Sequence, residues 1–153
     1  MERVNSTSGT EIHEDDHNAT QKQFPLSFSI FALARSHRAL AAQLLREIDL
    51  FPGQELILMQ LWKQDRQSQN RLSQNLRLDH STIAKSVKRL EDTGLVARSR
   101  SPEDGRELES RVLDAWNKLE SITSNALTQH EKTLLIELLN KVTHETMKYD
   151  GGE

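Results

Sequence analysis

A chain of 153 residues is long enough to bury a core of its own and fits a single domain. It is 35% hydrophobic, 28% charged and only 5% aromatic, with few Gly and Pro, which is typical of a soluble, helix-rich protein. No stretch approaches the roughly 18 apolar residues of a membrane span, and no basic start precedes an apolar segment, so we expect a cytoplasmic protein. The absence of cysteine excludes disulfides, thiolate metal sites and cysteine redox switches.

The formal net charge of −3 is distributed unevenly along the chain. Residues 66–106 contain nine Lys or Arg and five Asp or Glu, a local charge of +4, whereas the remainder carries −7. Positive charge confined to one segment is what a phosphate-binding surface requires. An ordinary solvated helix face would show the same bias, so the charge alone does not identify a nucleic-acid binder.

The first 23 residues differ in composition from the rest of the chain. Residues 1–23 are rich in Asn, Ser, Thr, Gln and acidic residues and contain almost no apolar ones. Such a segment cannot bury enough surface to offset the entropy lost on ordering. We therefore predict a flexible acidic and polar tail at residues 1–23 and one ordered domain at residues 24–148.

Apolar residues recur at helical spacing through most of the ordered domain, beginning with a broad stripe that predicts a helix over residues 26–48. The later predicted elements are, in chain order, helices 53–63, 70–76 and 80–93, a strand 95–100, a turn 101–105, a helix from 107 and a last helix 129–148. Gly94 suits the end of the helix at 80–93. Thr128 and Glu131 form a capping box that predicts the start of the last helix.

Two of these helices, joined by a tight turn, predict a helix-turn-helix at residues 70–93. Ile83, Val87 and Leu90 follow i, i+4, i+7 spacing and should face the domain interior. A helix of this width fits the major groove of DNA, and its N-terminal N–H groups suit a phosphate. The candidate DNA-binding residues on this helix are His80, Ser81, Thr82, Lys85, Lys88 and Arg89.

An amphipathic surface helix with a solvated basic face would give a similar pattern, but the flanking sequence favours DNA binding. A short helix and a polar turn precede residues 80–93, and Gly94 and a short predicted strand follow them. That strand carries Arg98 and Arg100, and arginines at such a position can reach phosphates or the minor groove.

The segment His80–Val96, with sequence HSTIAKSVKRLEDTGLV, resembles the recognition helix of the MarR family and its exit into the wing. The segment Arg98–Arg106, RSRSPEDGR, is similar to the family's wing signature, an Asp-x-Arg matched by Asp104 and Arg106. The resemblance covers residues 28–148. It implies a mainly α fold, with a winged helix-turn-helix DNA-binding lobe and a helical dimerisation limb built from residues 26–48 and 107–148.

The wing, expected at residues 95–106, departs from the family pattern. The family usually has a second wing strand and a short Leu-Thr turn before the long fifth helix. Here Gly105 and Arg106 run directly into Glu107, and we find no residues for a returning strand. We therefore expect an incomplete wing, and a DNA contact by Arg106 depends on that wing.

The resemblance implies a bacterial transcriptional regulator, associated with the nucleoid, that binds a pseudo-palindromic operator in duplex DNA as a homodimer. We expect an effector-responsive repressor, with a small aromatic or anionic effector between the limb and the DNA lobe. The candidate effector-pocket residues are Arg35, His37, Arg38 and Trp62. Trp116 is expected in the core or dimer interface, with a pocket wall as the alternative.

The alternative function is a winged-helix protein-interaction module that has lost DNA binding.

Catalytic and metal-binding patterns are missing from the sequence. It has no Gly-rich phosphate loop, no nucleophile elbow and no motif-placed carboxylate pair, so we predict neither an enzyme nor a cofactor. His13 and His17 have i, i+4 spacing but fall in the predicted tail, and no such pair stands in the ordered domain. We predict no metal site, and a zinc-responsive regulator is the minor alternative.

Overall fold

The computed structural model describes residues 19–96 and 104–149 of the protein, and every regular element within these ranges is helical. The helices are α1 (Pro25–Arg46), α2 (Gln54–Lys63), α3 (Gln69–Leu76), α4 (His80–Asp92), α5 (Asp104–Ser124) and α6 (Gln129–Met147). The predicted mainly α fold is confirmed. None of the helices in the described ranges is long and apolar enough to cross a membrane.

A short helical segment at residues 19–23 precedes α1 and corrects one boundary of the predicted tail. The N–H of Phe24 donates to the carbonyl oxygen of Thr20 at 3.1 Å, so the segment is held by local backbone hydrogen bonds. Ala, Gln and Lys within this segment have high helix propensity, which explains why it is helical although its side chains are exposed. Residues 1–18 of the predicted tail lie outside the described residues.

The chain divides into two compact units, Met1–Leu40 and Ala41–Glu153. The described part of the first unit is the helical segment and most of α1, and its large apolar side chains Leu26 and Phe31 are exposed. The second unit contains the rest of α1 and all later helices.

The second unit has one hydrophobic core, to which α1 through α5 all contribute. Its buried members are Leu45, Leu50, Ile57, Leu58, Leu72, Ile83, Leu90 and Val112. Ile83 and Leu90 are fully buried and Val87 packs half-buried against them, as predicted from their spacing. The core therefore fixes which side of α4 faces outward.

Local hydrogen bonds fix the turn of the helix-turn-helix between α3 and α4. Ser68 caps α3 by accepting from the N–H of Arg71 at 3.2 Å. After α3, Arg77 adopts a left-handed conformation with φ of 54°, and the hydroxyl of Ser73 donates to the carbonyl oxygen of Leu78 at 2.6 Å. Asp79 then caps α4, which ends near Gly94 in the left-handed region with φ of 74°.

The segment after α4 departs from the predicted wing. Leu95 and Val96, expected to begin a strand, form a bend in which both N–H groups donate to the carbonyl oxygen of Leu90, at 3.0 and 3.2 Å. These hydrogen bonds tie Leu95 and Val96 to the end of α4. The two N–H groups are therefore not free to pair with a neighbouring β-strand. Residues 97–103, which include Arg98 and Arg100, lie outside the described residues.

Residues 104–106, expected to belong to the wing, instead begin α5, so the predicted end of the wing at residue 106 was wrong. Residues 103–107 contain no apolar residue and so show no strand-like alternation, and an acidic residue such as Asp104 is favourable in the first turn of a helix. The helix therefore starts three residues earlier than predicted.

Candidate nucleic-acid interface

The outward side of α4 presents the polar and cationic residues expected to bind DNA. His80, Ser81, Lys85, Lys88 and Arg89 are exposed, and Thr82 is half-buried. Burial of Ile83 and Leu90 on the inward side keeps Ser81, Lys85 and Lys88 directed away from the core. The structure thus brings most of the predicted DNA-binding residues together on one accessible helix.

Asp79 organises the N-terminus of α4. Its Oδ1 accepts from the hydroxyl of Ser81 at 2.6 Å and from the backbone N–H of Thr82 at 2.7 Å, and its Oδ2 accepts from the Thr82 hydroxyl at 2.7 Å. These hydrogen bonds, first that of Ser81 and then those of Thr82, hold the pKa of Asp79 well below its ordinary value. Both hydroxyls donate to Asp79 and can therefore only accept from a further partner.

Lys85, Lys88 and Arg89 have no carboxylate partner within 4 Å in the part of the chain that the structure describes. The ion pairs described there lie away from α4. One joins Lys132 of α6 to Glu120 of α5, and the other joins Lys148, just after α6, to Glu145. Cations without an internal partner can neutralise phosphates without first breaking an ion pair. As far as the described residues go, the charges of Lys85, Lys88 and Arg89 are therefore available to a polyanion.

Phe51 is a residue of this surface that the sequence analysis missed. The residue is 62% exposed, and the guanidinium carbon of Arg89 lies over its ring, 5.4 Å from the ring centroid. This distance is within the range of a cation–π interaction. The sequence offered no signal for the pairing, because the two residues belong to different elements and neither lies on a buried stripe.

Arg77 is a second residue that the sequence analysis missed. It is exposed in the turn of the helix-turn-helix, and its guanidinium donates to the Sδ atom of Met147 at 2.9 Å. The contact ties this turn to the last residue of α6.

The predicted effector-pocket residues fall in both compact units. Arg35 and Arg38 are exposed and His37 is half-buried on the part of α1 that belongs to the first unit. Trp62 belongs to the second unit, where it packs half-buried against the hydrophobic core, as does Trp116. A pocket formed by these four candidates remains a prediction.

A cleft of about 380 Å³ opens elsewhere in the second unit, where the ends of α1 and α4 meet the start of α5. It is lined by Ile48, Asp49, Thr93, Leu95, Glu107, Leu108 and Arg111. The carboxylates of Asp49 and Glu107 outnumber the guanidinium of Arg111, so the lining has a net negative charge that does not favour binding of an anion.

No group of three or more His, Asp or Glu side chains stands close enough to hold a metal ion in residues 19–96 and 107–149. A zinc site of the usual composition therefore has no candidate ligand set among these residues.

Comparison with known proteins identifies relatives of this helix-turn-helix. Residues 50–108 match the MarR family. The organic hydroperoxide resistance transcriptional regulator of Bacillus subtilis (strain 168) is 32% identical over 91 residues, which span 60% of this chain and 60% of that regulator. The HTH-type transcriptional regulator MgrA of Staphylococcus aureus is 29% identical over 140 residues, covering 85% of this chain and 93% of MgrA.

Solved structures share the fold. A MarR family protein of Mycobacterium tuberculosis in complex with DNA superposes with a TM-score of 0.64 at 19% identity, covering 77% of this chain and 97% of that one. The same protein in complex with salicylic acid gives a TM-score of 0.60 at 20% identity, over 77% and 98% of the two chains.

Proposed function

We propose that this chain, a transcriptional regulator of the MarR family, binds a pseudo-palindromic operator as a homodimer and represses transcription in response to a small effector. MarR-family proteins are transcriptional regulators rather than enzymes. The observation that carries the proposal is the outward side of α4, where cations without a described carboxylate partner stand on a helix anchored by Ile83 and Leu90.

The proposed mode of binding places α4 in the major groove. The N-terminal residues of a recognition helix approach base edges, so Ser81, Thr82 and Lys85 are the proposed base-reading residues. Lys88 and Arg89 lie further along α4, where phosphate contacts are expected. His80 opens the helix next to the DNA backbone. Each phosphate neutralised releases counterions, so affinity should fall steeply as salt rises.

The homodimer is supported by the surface of α6. None of the 19 residues of this helix is buried, and within residues 134–139 five large apolar residues are between 36% and 49% exposed. They are Leu134, Leu135, Ile136, Leu138 and Leu139. A contiguous exposed apolar surface of this kind marks an interaction site. A second copy is the proposed partner, because a two-fold symmetric dimer matches the symmetry of a pseudo-palindromic operator.

The effector response is supported by the M. tuberculosis relative, which was solved both with DNA and with salicylic acid. We propose a small aromatic anion for this chain as well. Arg35, His37, Arg38 and Trp62 supply the cationic and aromatic groups that such a ligand needs. The ligand can release DNA only if it binds the DNA-free state more tightly than the DNA-bound state.

Selection from a pool of random duplex DNA at moderate salt tests this function. Enrichment of a pseudo-palindromic sequence, with an affinity that falls steeply across a salt series, is the expected result. Lack of enrichment, together with no binding even at low salt, would contradict it. That result would favour a winged-helix protein-interaction module that has lost DNA binding.

A further inference from the structure

The loop between α1 and α2 presents an aromatic ring to solvent at a fixed position. Leu50 is buried in the core, yet the next residue, Phe51, is 62% exposed. An exposed ring directly beside a buried anchor has little freedom to move with its backbone. Nothing in the packing of the core requires an aromatic residue at this position.

Two buried polar side chains hold this loop in place. The Oε1 atom of Gln54 accepts from the N–H of Phe51 at 2.9 Å, while the N–H of Gln54 donates to the carbonyl oxygen of Phe51 at 3.1 Å. The Oε2 atom of Glu55 accepts from the N–H of Gly53 at 2.8 Å. Both side chains are only 4% exposed, and burial of polar groups is costly unless they are bonded. The loop is therefore held in place by hydrogen bonds to the buried side chains of Gln54 and Glu55.

The fixed ring supports a cation of α4. The guanidinium carbon of Arg89 lies 5.4 Å from the centroid of the Phe51 ring. A guanidinium above the face of a ring keeps the N–H donors that point away from the ring available to a phosphate. Arg89 has no carboxylate partner within 4 Å among residues 19–96 and 107–149 that would compete for these donors.

We propose that Phe51 is a positioning residue for DNA binding, which holds the guanidinium of Arg89 in place for a phosphate of the operator. The ring restricts the side chain of Arg89 before DNA arrives, so less freedom is lost on binding. This inference rests on the proposed function, because it requires α4 to face DNA. It adds to that function a residue outside the helix-turn-helix.

A double-mutant cycle on the full chain tests the proposal, with the duplex recovered from the random pool as the probe. The variants are Phe51→Leu, Phe51→Trp, Arg89→Ala and the double variant Phe51→Leu/Arg89→Ala. Phe51→Leu should weaken binding about three- to tenfold, as expected for the loss of a partly solvated cation–π contact. Phe51→Trp should retain wild-type affinity. In the Arg89→Ala background, Phe51→Leu should have no further effect.

The control is Phe24→Leu, which removes another exposed ring from the chain and should leave affinity unchanged. Circular dichroism melts identify any variant that loses affinity by unfolding. Wild-type affinity in Phe51→Leu, or an equal loss with and without Arg89, would overturn the positioning role while leaving DNA binding intact. Tighter binding by Phe51→Leu would also overturn it, since the ring would then restrain Arg89 away from DNA. Failure of the wild-type chain to bind DNA would overturn both proposals.

Discussion

The carboxylate of Asp79 holds Thr82 at two points, since Oδ1 accepts from its backbone N–H and Oδ2 accepts from its hydroxyl, both at 2.7 Å. The same carboxylate accepts from the hydroxyl of Ser81. One side chain therefore both caps α4 and orients the two hydroxyls at its N-terminus. The start of α4 is thus ordered before DNA binds.

Replacing Asp79 with Ala should lower the melting temperature by a few degrees and weaken DNA binding, because the cap and the orientation of both hydroxyls are lost. Thermal melts and affinity for the selected duplex measure the two effects. Asp114→Ala, which removes an exposed acidic residue of α5, is the control. Equal melting temperatures for the two variants would contradict the capping role.

The pKa of Asp79 also predicts a pH dependence. Because its hydrogen bonds lower the pKa in the folded state, the stabilisation is complete above the ordinary Asp pKa of about 3.9. It is lost only as pH falls through the lowered pKa. The difference in melting temperature between wild type and Asp79→Ala should therefore be constant from about pH 5 upward and shrink in acid.

Burial of Ile83 makes α4 dependent on the core. Its side chain is 0% exposed, so Ile83→Ala should lower the free energy of unfolding by about 2–5 kcal/mol. Ile83→Val, the matched smaller deletion, should cost about 0.5–1.5 kcal/mol. Urea denaturation measures both. Stabilities that do not follow this order would show that Ile83 is not packed in the core.

Charge placed on the apolar surface of α6 should prevent dimerisation. Leu138→Glu puts a carboxylate in the proposed interface, so we expect a monomer at concentrations where the wild type is a dimer. Asn140→Glu adds the same group to the polar side of α6 and should remain dimeric. Sedimentation equilibrium measures both. A dimeric Leu138→Glu variant with the affinity of the wild type would exclude this surface.

Glu55 should destabilise the protein as pH rises. Burial raises the pKa of this carboxyl, against the opposing effect of backbone N–H groups that donate to it. Its contribution to stability is complete below the ordinary Glu pKa of about 4.3 and is lost as pH rises through the raised value. Glu55→Gln should remove this part of the pH dependence, measured by urea denaturation from pH 4 to pH 8. The exposed Glu137→Gln should retain it, and identical profiles for Glu55→Gln and wild type would refute the assignment.

The helices and their ends follow from local signals and could be predicted from the sequence. The spacing of Ile83, Val87 and Leu90 predicted which side of α4 faces the core. A helix with one buried face carries apolar residues at a period of about 3.6 positions in the sequence. The capping box at α6 is present as predicted, with Thr128 and Glu131 exchanging two hydrogen bonds of 3.2 Å. Caps depend on residues a few positions apart, so the sequence displays them directly.

Contacts between exposed or polar side chains could not be predicted in this way. Gln54 and Glu55 are buried although polar residues are usually exposed, because they bind the backbone of the preceding loop. The pairing of Arg89 with Phe51 joins different elements and leaves no period in the sequence. The start of α5 was placed three residues too late because the resemblance assigned Asp104 and Arg106 to the wing, where the chain already forms a helix.

The affinity of Lys85→Ala for the selected duplex tests most directly whether α4 is the DNA-reading helix. Lys85 is exposed on the outward side of α4, and Lys63 at the end of α2 provides an equally charged control. Lys85→Ala should bind the duplex about 1–3 kcal/mol more weakly if Lys85 reads a base, and Lys63→Ala should bind like the wild type. Wild-type affinity in both Lys85→Ala and Arg89→Ala would contradict the assignment of α4 as the recognition helix.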